Sequence, residues 1–214
     1  MIVRTYKSQV NTYVRSADTL ASMGQREDLL VGAKKCLVEK GYHRTTARDI
    51  AAASGAHLAS IGYHYGSKNA LMAVATLEAQ GEWGHAVDSA MQAAGAATPA
   101  ERLRICVDVL MAAMSRQPEV LVASVQPYAQ APFDKQIHKA LADGTAGARV
   151  DLAAGVLDVL SQDVDADTAR GLGSVVHALI AGLTMQALLD PKSLPTGEQV
   201  VQAIQALAKK PKSR

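Results

Sequence analysis

The sequence predicts an all-α protein, a small N-terminal three-helix domain of helix-turn-helix type joined to a larger helical domain. Three observations carry that reading. Of the 214 residues 49% are hydrophobic, yet only eight are aromatic (six Tyr, one Trp, one Phe), so Ala, Val and Leu must build the core. Such a composition suits close-packed helices better than sheets. Apolar residues recur at helical spacing in segment after segment, while no stretch alternates in the strand period and no internal repeat is visible. Finally, Pro99, Pro118, Pro132 and Pro195 each suit the first turn of a helix, where a missing N–H costs nothing.

Taken in order, residues 1–24 are polar, slightly basic and weakly patterned. They read either as an arm following the DNA backbone or minor groove, or as a frayed terminus. Gln25–Lys40 is expected to be helical, with Glu27 and Asp28 in its first turn, Lys40 in its last, and Leu29, Leu30, Ala33 and Leu37 on one face. Gly41 supplies its stop. Thr46-Ala-Arg-Asp49 is a capping box opening a short helix over Ala47–Ser54. Gly55 stands where the chain needs a left-handed residue. A second short helix follows over about His57–Tyr65, with Ile61 and Tyr65 on its core side, and Gly66 ends it. Ser67 then caps a longer helix reaching about Ala93.

Further helices are expected over Pro99–Gln117, Pro118–Ala129, Pro132–Ser161 (either continuous or broken at Asp143-Gly144), Asp165–Leu189 and Pro195–Lys209. The domain reading is an arm over 1–24, a helix-turn-helix domain over 25–70, and a larger helical domain over 71–214; DNA binding belongs to the second, and ligand binding and dimerisation to the third, on grounds that follow.

Two short helices separated by a glycine turn form the layout that presents the second helix to the DNA major groove. Charge agrees. Residues 1–75 hold ten Lys/Arg against five Asp/Glu, and residues 76–214 hold twelve against fifteen, a basic head on a mildly acidic body. Cys36 and Cys106 lie in helical patterns without Cys-x-x-Cys spacing and read as buried thiols. No secretory signal opens the chain, and apolar runs such as Val109–Met114 are too short for a bilayer, so a cytoplasmic protein without a membrane partner is expected.

Gly41, Thr45-Thr46, Asp49-Ile50-Ala51, Gly55 and Tyr63-His64-Tyr65-Gly66-Ser67-Lys68 leading to Ala70-Leu71 resemble the DNA-binding domain of the tetracycline-repressor (TetR) family of bacterial regulators. The motif covers about fifty residues; the rest agrees in helix content and length. Two departures stand out. His57 occupies the place of the family's small hydroxyl cap, and Gly62 that of its usual aromatic residue. Gly62 costs the helix up to about 1 kcal/mol relative to Ala, which points to a close backbone approach or a packing demand.

On the outward face of the second helix, His57, Leu58, Ser60, Tyr63 and His64 are the candidate base and backbone contacts. Arg44, Thr45, Thr46, Arg48 and Lys68 are the candidate phosphate contacts; Lys68 opens a helix, where a cation opposes the dipole unless an anion joins it. With almost no arginine on the outward face, specificity must rest on apolar, hydroxyl and imidazole contacts and on DNA shape. One short helix reads few bases, so a homodimer on a palindromic operator is expected.

In the body, Leu172, Val176, Leu179, Leu183 and Gln186 form one candidate dimer stripe, and Val200, Val201, Ile204 and Leu207 another. The family resemblance implies a pocket for a small-molecule, largely apolar inducer, for which Met111, Met114, Tyr128, Phe133, His138, His177 and Met185 are candidates. Asp163-Val-Asp165-Ala-Asp167 lacks the glycine and terminal Glu of a calcium loop and reads as a helix start. No catalytic constellation, cofactor motif or metal spacing is found, so an enzyme is not expected. The reading is thus a DNA-binding regulator, in this family most often a repressor released by a ligand; the alternative is a helical dimeric ligand-binding or interaction module whose head no longer binds DNA.

Overall fold

The computed structural model describes residues 17–208, with side chains from residue 24, and every regular element among them is helical. The expected arm therefore lies largely outside the described residues. Helix α1 spans Ala17–Lys40 and starts earlier than Gln25, because Ala17, Leu20, Ala21 and Met23 are good helix formers that extend it backwards. It stops at Gly41, whose N–H donates to the Leu37 carbonyl at 2.9 Å. α2 (Ala47–Ser54), α3 (Leu58–Tyr65), α4 (Lys68–Ala94), α5 (Pro99–Arg116), α6 (Pro118–Gln130) and α7 (Lys135–Leu157) follow. After a 3-10 turn at Ser161–Asp163, α8 (Ala166–Thr168) runs through a π turn at Ala169–Gly173 into α9 (Ser174–Leu189), and α10 spans Gly197–Ala208.

Two compact units result. One holds α1–α3, α4 as far as Glu82, α6, and α7 as far as Gly147; the other holds the remainder of α4 and α7 with α5 and α8–α10. Thus α6 and the first part of α7 group with the N-terminal helices.

In the first unit, Leu29, Ala33, Leu37, Ile50 and Leu71 are fully buried, and Ile61 and Tyr65 nearly so. α2 crosses α1 at Gly32, where a Cβ would come within 2.9 Å of the Ser54 nitrogen. Only glycine permits that crossing distance. Of the two alternatives at Asp143-Gly144, α7 is continuous. A Cβ at Gly144 would sit 2.9 Å from both Leu77 methyls, so the glycine serves helix packing instead.

In the second unit, Val107, Leu183 and Val200 form a buried centre against which Leu103, Met111, Leu179 and Leu194 pack. Several helix starts carry side-chain caps. Pro99 and Pro118 open their helices as expected, but Pro132 and Pro195 lie just before theirs. Asp134 caps α7 by accepting from the Gln136 and Ile137 N–H groups, and Thr196 caps α10 by accepting from the Gln199 N–H at 3.2 Å. Asp165, read above as part of a helix start, accepts from the Thr168 N–H at 2.6 Å and caps α8.

The expected dimer stripe on α9 needs correction. Val176 and Leu183 face the chain's own core, and Leu179 packs against it. The outward stripe is Val175, Gly182, Met185 and Leu189, offset by one position. Ala166–Leu189 is also long and apolar enough, at a mean hydropathy of 1.7, to cross a membrane by composition. Its inward face is committed to the core of the second unit.

Candidate DNA interface

The scaffold of the head is set by polar groups that leave little freedom. Thr46 and Asp49 complete the capping box: the Asp49 N–H donates to Thr46 Oγ1, and the Thr46 N–H donates to Asp49 Oδ2 at 2.8 Å. Lys40 closes the corner by donating to Asp49 Oδ1 at 2.6 Å. That bond, with those from Thr46, holds the Asp49 carboxyl well below the usual carboxylate range. Gly55 takes φ 69°, the left-handed conformation the turn demands. α3 then begins at His57, which has N-cap geometry but no side-chain cap bond. Its departure from the usual hydroxyl cap leaves the imidazole exposed and uncommitted.

Ile61 and Tyr65 bury the inner face of α3, and the Tyr65 hydroxyl donates to the Arg26 carbonyl at 2.8 Å. Facing away are His57, Leu58 (47% exposed) and Tyr63 (82% exposed), while Ser60 and His64 are partly buried. Ser60 Oγ donates to Gln25 Oε1 at 3.0 Å, and Tyr63 meets His64 edge-on at 4.8 Å. Gly62 lies on the exposed side with nothing within 4 Å of where a Cβ would be. Among the described residues no packing demand explains it.

The five expected phosphate contacts divide. Arg44 and Arg48 are exposed. Arg48 makes no ion pair among the described residues, and Arg44 folds its Nε–H onto the Lys40 carbonyl at 2.7 Å. Thr46 is exposed within the capping box. Thr45 faces inward instead: it is 2% exposed and its hydroxyl is within bonding distance of the Gly41 and Cys36 carbonyls at 2.8 and 3.2 Å. Lys68 has internal partners as well, donating to the Thr45 carbonyl at 3.3 Å with its ammonium 5.5 Å from the Tyr42 ring centre. Burial lowers its pKa. Those contacts answer the unfavourable start of α4 without any outside anion.

Sequence reasoning passed over Gln25, Tyr42 and the Lys40–Asp49 pair. Tyr42 donates its hydroxyl to the Asn69 carbonyl at 3.2 Å, and burial, then the Asp134 charge, push its pKa up to about 12. An aromatic directly after a helix-stop glycine was the available signal.

The seven expected effector residues are divided between the two units. Met114 is buried and accepts a contact from Thr184 Oγ1 at 3.6 Å, and Met111 packs on the core of the second unit. His177 is partly buried in that unit, whereas Met185 is 61% exposed on the outward stripe of α9. Tyr128, Phe133 and His138 belong to the first unit and lie on its surface. A groove of about 280 Å³ in the first unit, between residues 40–44 and α6, is lined by none of the seven.

Against known proteins, residues 29–75 match the family model for bacterial regulatory proteins of the tetR family, and residues 99–210 match the C-terminal model of BetI-type transcriptional repressors. The chain belongs to the TetR family. It is a DNA-binding transcriptional regulator of that family, with a helix-turn-helix domain and a ligand-binding domain. No curated protein matches it. Among solved structures, a proposed transcriptional regulator from Pseudomonas aeruginosa PAO1 is 25% identical, covering 85% of this chain and 86% of that one at a TM-score of 0.57. A TetR transcription regulator from Haloarcula marismortui ATCC 43049 shares the fold at 23% identity, with 87% and 97% coverage and a TM-score of 0.56. So does the multidrug binding protein EbrR, complexed with imidazole, at 22% identity, 88% and 92% coverage and a TM-score of 0.59.

Proposed function

We propose that this TetR-family regulator acts as a cytoplasmic homodimeric repressor that sits on a palindromic operator and leaves it when a small, largely apolar molecule binds its helical body. The observation that carries the DNA part is the exposed face of α3, where His57, Leu58 and Tyr63 stand free on a helix whose other side is locked by Ile61 and Tyr65. Leu58 offers a thymine methyl an apolar contact, and His57, Tyr63 and His64 offer hydrogen bonds to base edges or backbone. Phosphates are met by Arg48, Arg44 and the N-terminus of α2 at Thr46, with Lys68 and Thr45 holding that corner in shape.

Two heads are needed because one eight-residue helix reads only a few base pairs. The outward stripe of α9 (Val175, Gly182, Met185, Leu189) together with Ile204 and Leu207 on α10 supports a dimer, since so much apolar surface is rarely left in water. Effector binding is supported by the ligand-binding family assignment and by the Met111–Met114 region of the second unit; EbrR shows this fold holding a small molecule. The test is footprinting at low salt over the DNA upstream of the protein's own gene and its neighbours. A protected palindrome with two half-sites about one helical turn apart is expected. Absence of any protected fragment would overturn the reading.

A further inference from the structure

The ligand chemistry of the body can be narrowed from one unexplained group. Arg149, on α7, is partly buried and its Nε–H is sealed from solvent without a hydrogen-bond partner. No carboxylate pairs with it among the described residues. The nearest acid on the same helix, Asp151, lies about 200° around the axis and is engaged by Ser161 Oγ at 2.7 Å. A buried charged donor left unpaired is costly, and such a group in a native fold calls for an explanation.

Its surroundings supply one. α7 meets the π turn before α9 at this residue: a Cβ on Gly173 would overlap the Arg149 carbonyl, so the two backbones touch. His177 is four residues beyond Gly173, one turn further along the same face and about 6 Å on. Burial, then the Arg149 charge, lower the His177 pKa, so guanidinium and imidazole share one electrostatic environment. π turns of this kind recur at functional sites because they re-aim side chains. A cation and a second donor at one helix seam, with no carboxylate paired to the cation among the described residues, match a carboxylate.

We propose that Arg149 and His177 at the α7–α9 seam receive the carboxylate of the effector, which is therefore an apolar acid rather than a neutral or cationic molecule. The inference rests on the ligand-released regulator reading for its biological meaning, though not for its test. Thermal unfolding of the full-length protein is followed with acetate, benzoate and octanoate, each against its neutral amide at constant ionic strength. At least one acid should raise the melting temperature by about 5 °C or more at a hundredfold excess over its Kd, and its amide should not. Arg149→Met should abolish that rise while melting at or above the wild-type temperature without ligand, since the unpaired charge is gone. Arg149→Lys, which keeps the charge but not the fork, should retain a smaller rise. Equal responses to acids and amides would overturn the proposal, as would an acid response unchanged in Arg149→Met. So would conversion of Arg149→Met to monomers, which would show that a second copy supplies the anion. The measurement contains no DNA, so its failure leaves operator binding standing, and failed footprinting leaves it untouched.

Discussion

The corner built from residues 40–68 and the seam between α7 and α9 treat their polar groups in opposite ways. At the corner nearly every buried or bridging group has an internal partner: Thr45 on two carbonyls, Lys68 on a carbonyl and a ring, Asp49 on Lys40 and Thr46. At the seam, Arg149 is left open and the outward face of α9 is left apolar. A fully satisfied network rigidifies a surface, whereas an unsatisfied one leaves a fold waiting for something to complete it. The head thus presents α3 on a braced corner, and the body leaves Arg149 Nε and the outer face of α9 without partners among the described residues, which on the proposed reading a ligand and a second chain would supply.

The sharpest way to break this contrast is at the outer face of α9. Met185→Glu places a charge on the exposed stripe of α9 and should convert the protein to a folded monomer, read by light scattering, with operator affinity falling accordingly. A variant that stays dimeric would move the interface elsewhere. Next in size is Ile50→Ala in the braced head. Removing this fully buried side chain should cost about 2–5 kcal/mol in chemical denaturation, because the α1–α2 crossing cannot collapse around it.

A smaller effect is expected at the cap. Thr46→Ala removes the acceptor for the Asp49 N–H and should destabilise the head by about 1 kcal/mol. The Asp49 carboxyl is depressed in the folded state, so its contribution is present above the ordinary carboxylate pKa near 4 and is lost as pH falls through the folded value. The wild type should therefore lose its advantage over Asp49→Asn on acidification, and melting curves between pH 7 and pH 2 would show it. Smallest is Gly62→Ala, which should stabilise the head by up to about 1 kcal/mol, since its Cβ meets only open space. It should also weaken operator binding, because the glycine leaves room for the DNA.

How readable these two regions were in the sequence follows the same division. The corner was legible because its signals are local: Thr46 and Asp49 are three apart, Gly55 and Gly66 mark turns, and Ile61 and Tyr65 lie one turn apart. The partners of Thr45 and Lys68 were not, since a hydroxyl or ammonium in a loop carries no sign of which way it faces. In the body, the apolar period of α9 was visible, but a helix apolar all round gives no phase, and the stripe was placed on the inner rather than the outer face. Met and His in a helical pattern likewise do not say which neighbours share their side of the helix. Arg149 was missed altogether, as one arginine among many until its burial is known.

The central claim is that the exposed cations around a rigid α3 grip DNA phosphates. It is tested most directly by measuring operator affinity against salt for the wild type and Arg48→Gln. Wild-type affinity should fall steeply with salt, and Arg48→Gln should weaken binding uniformly across sequences, with the slope of log K against log salt shallower by about 1. An unchanged affinity and slope in Arg48→Gln, or wild-type binding indifferent to salt, would contradict it.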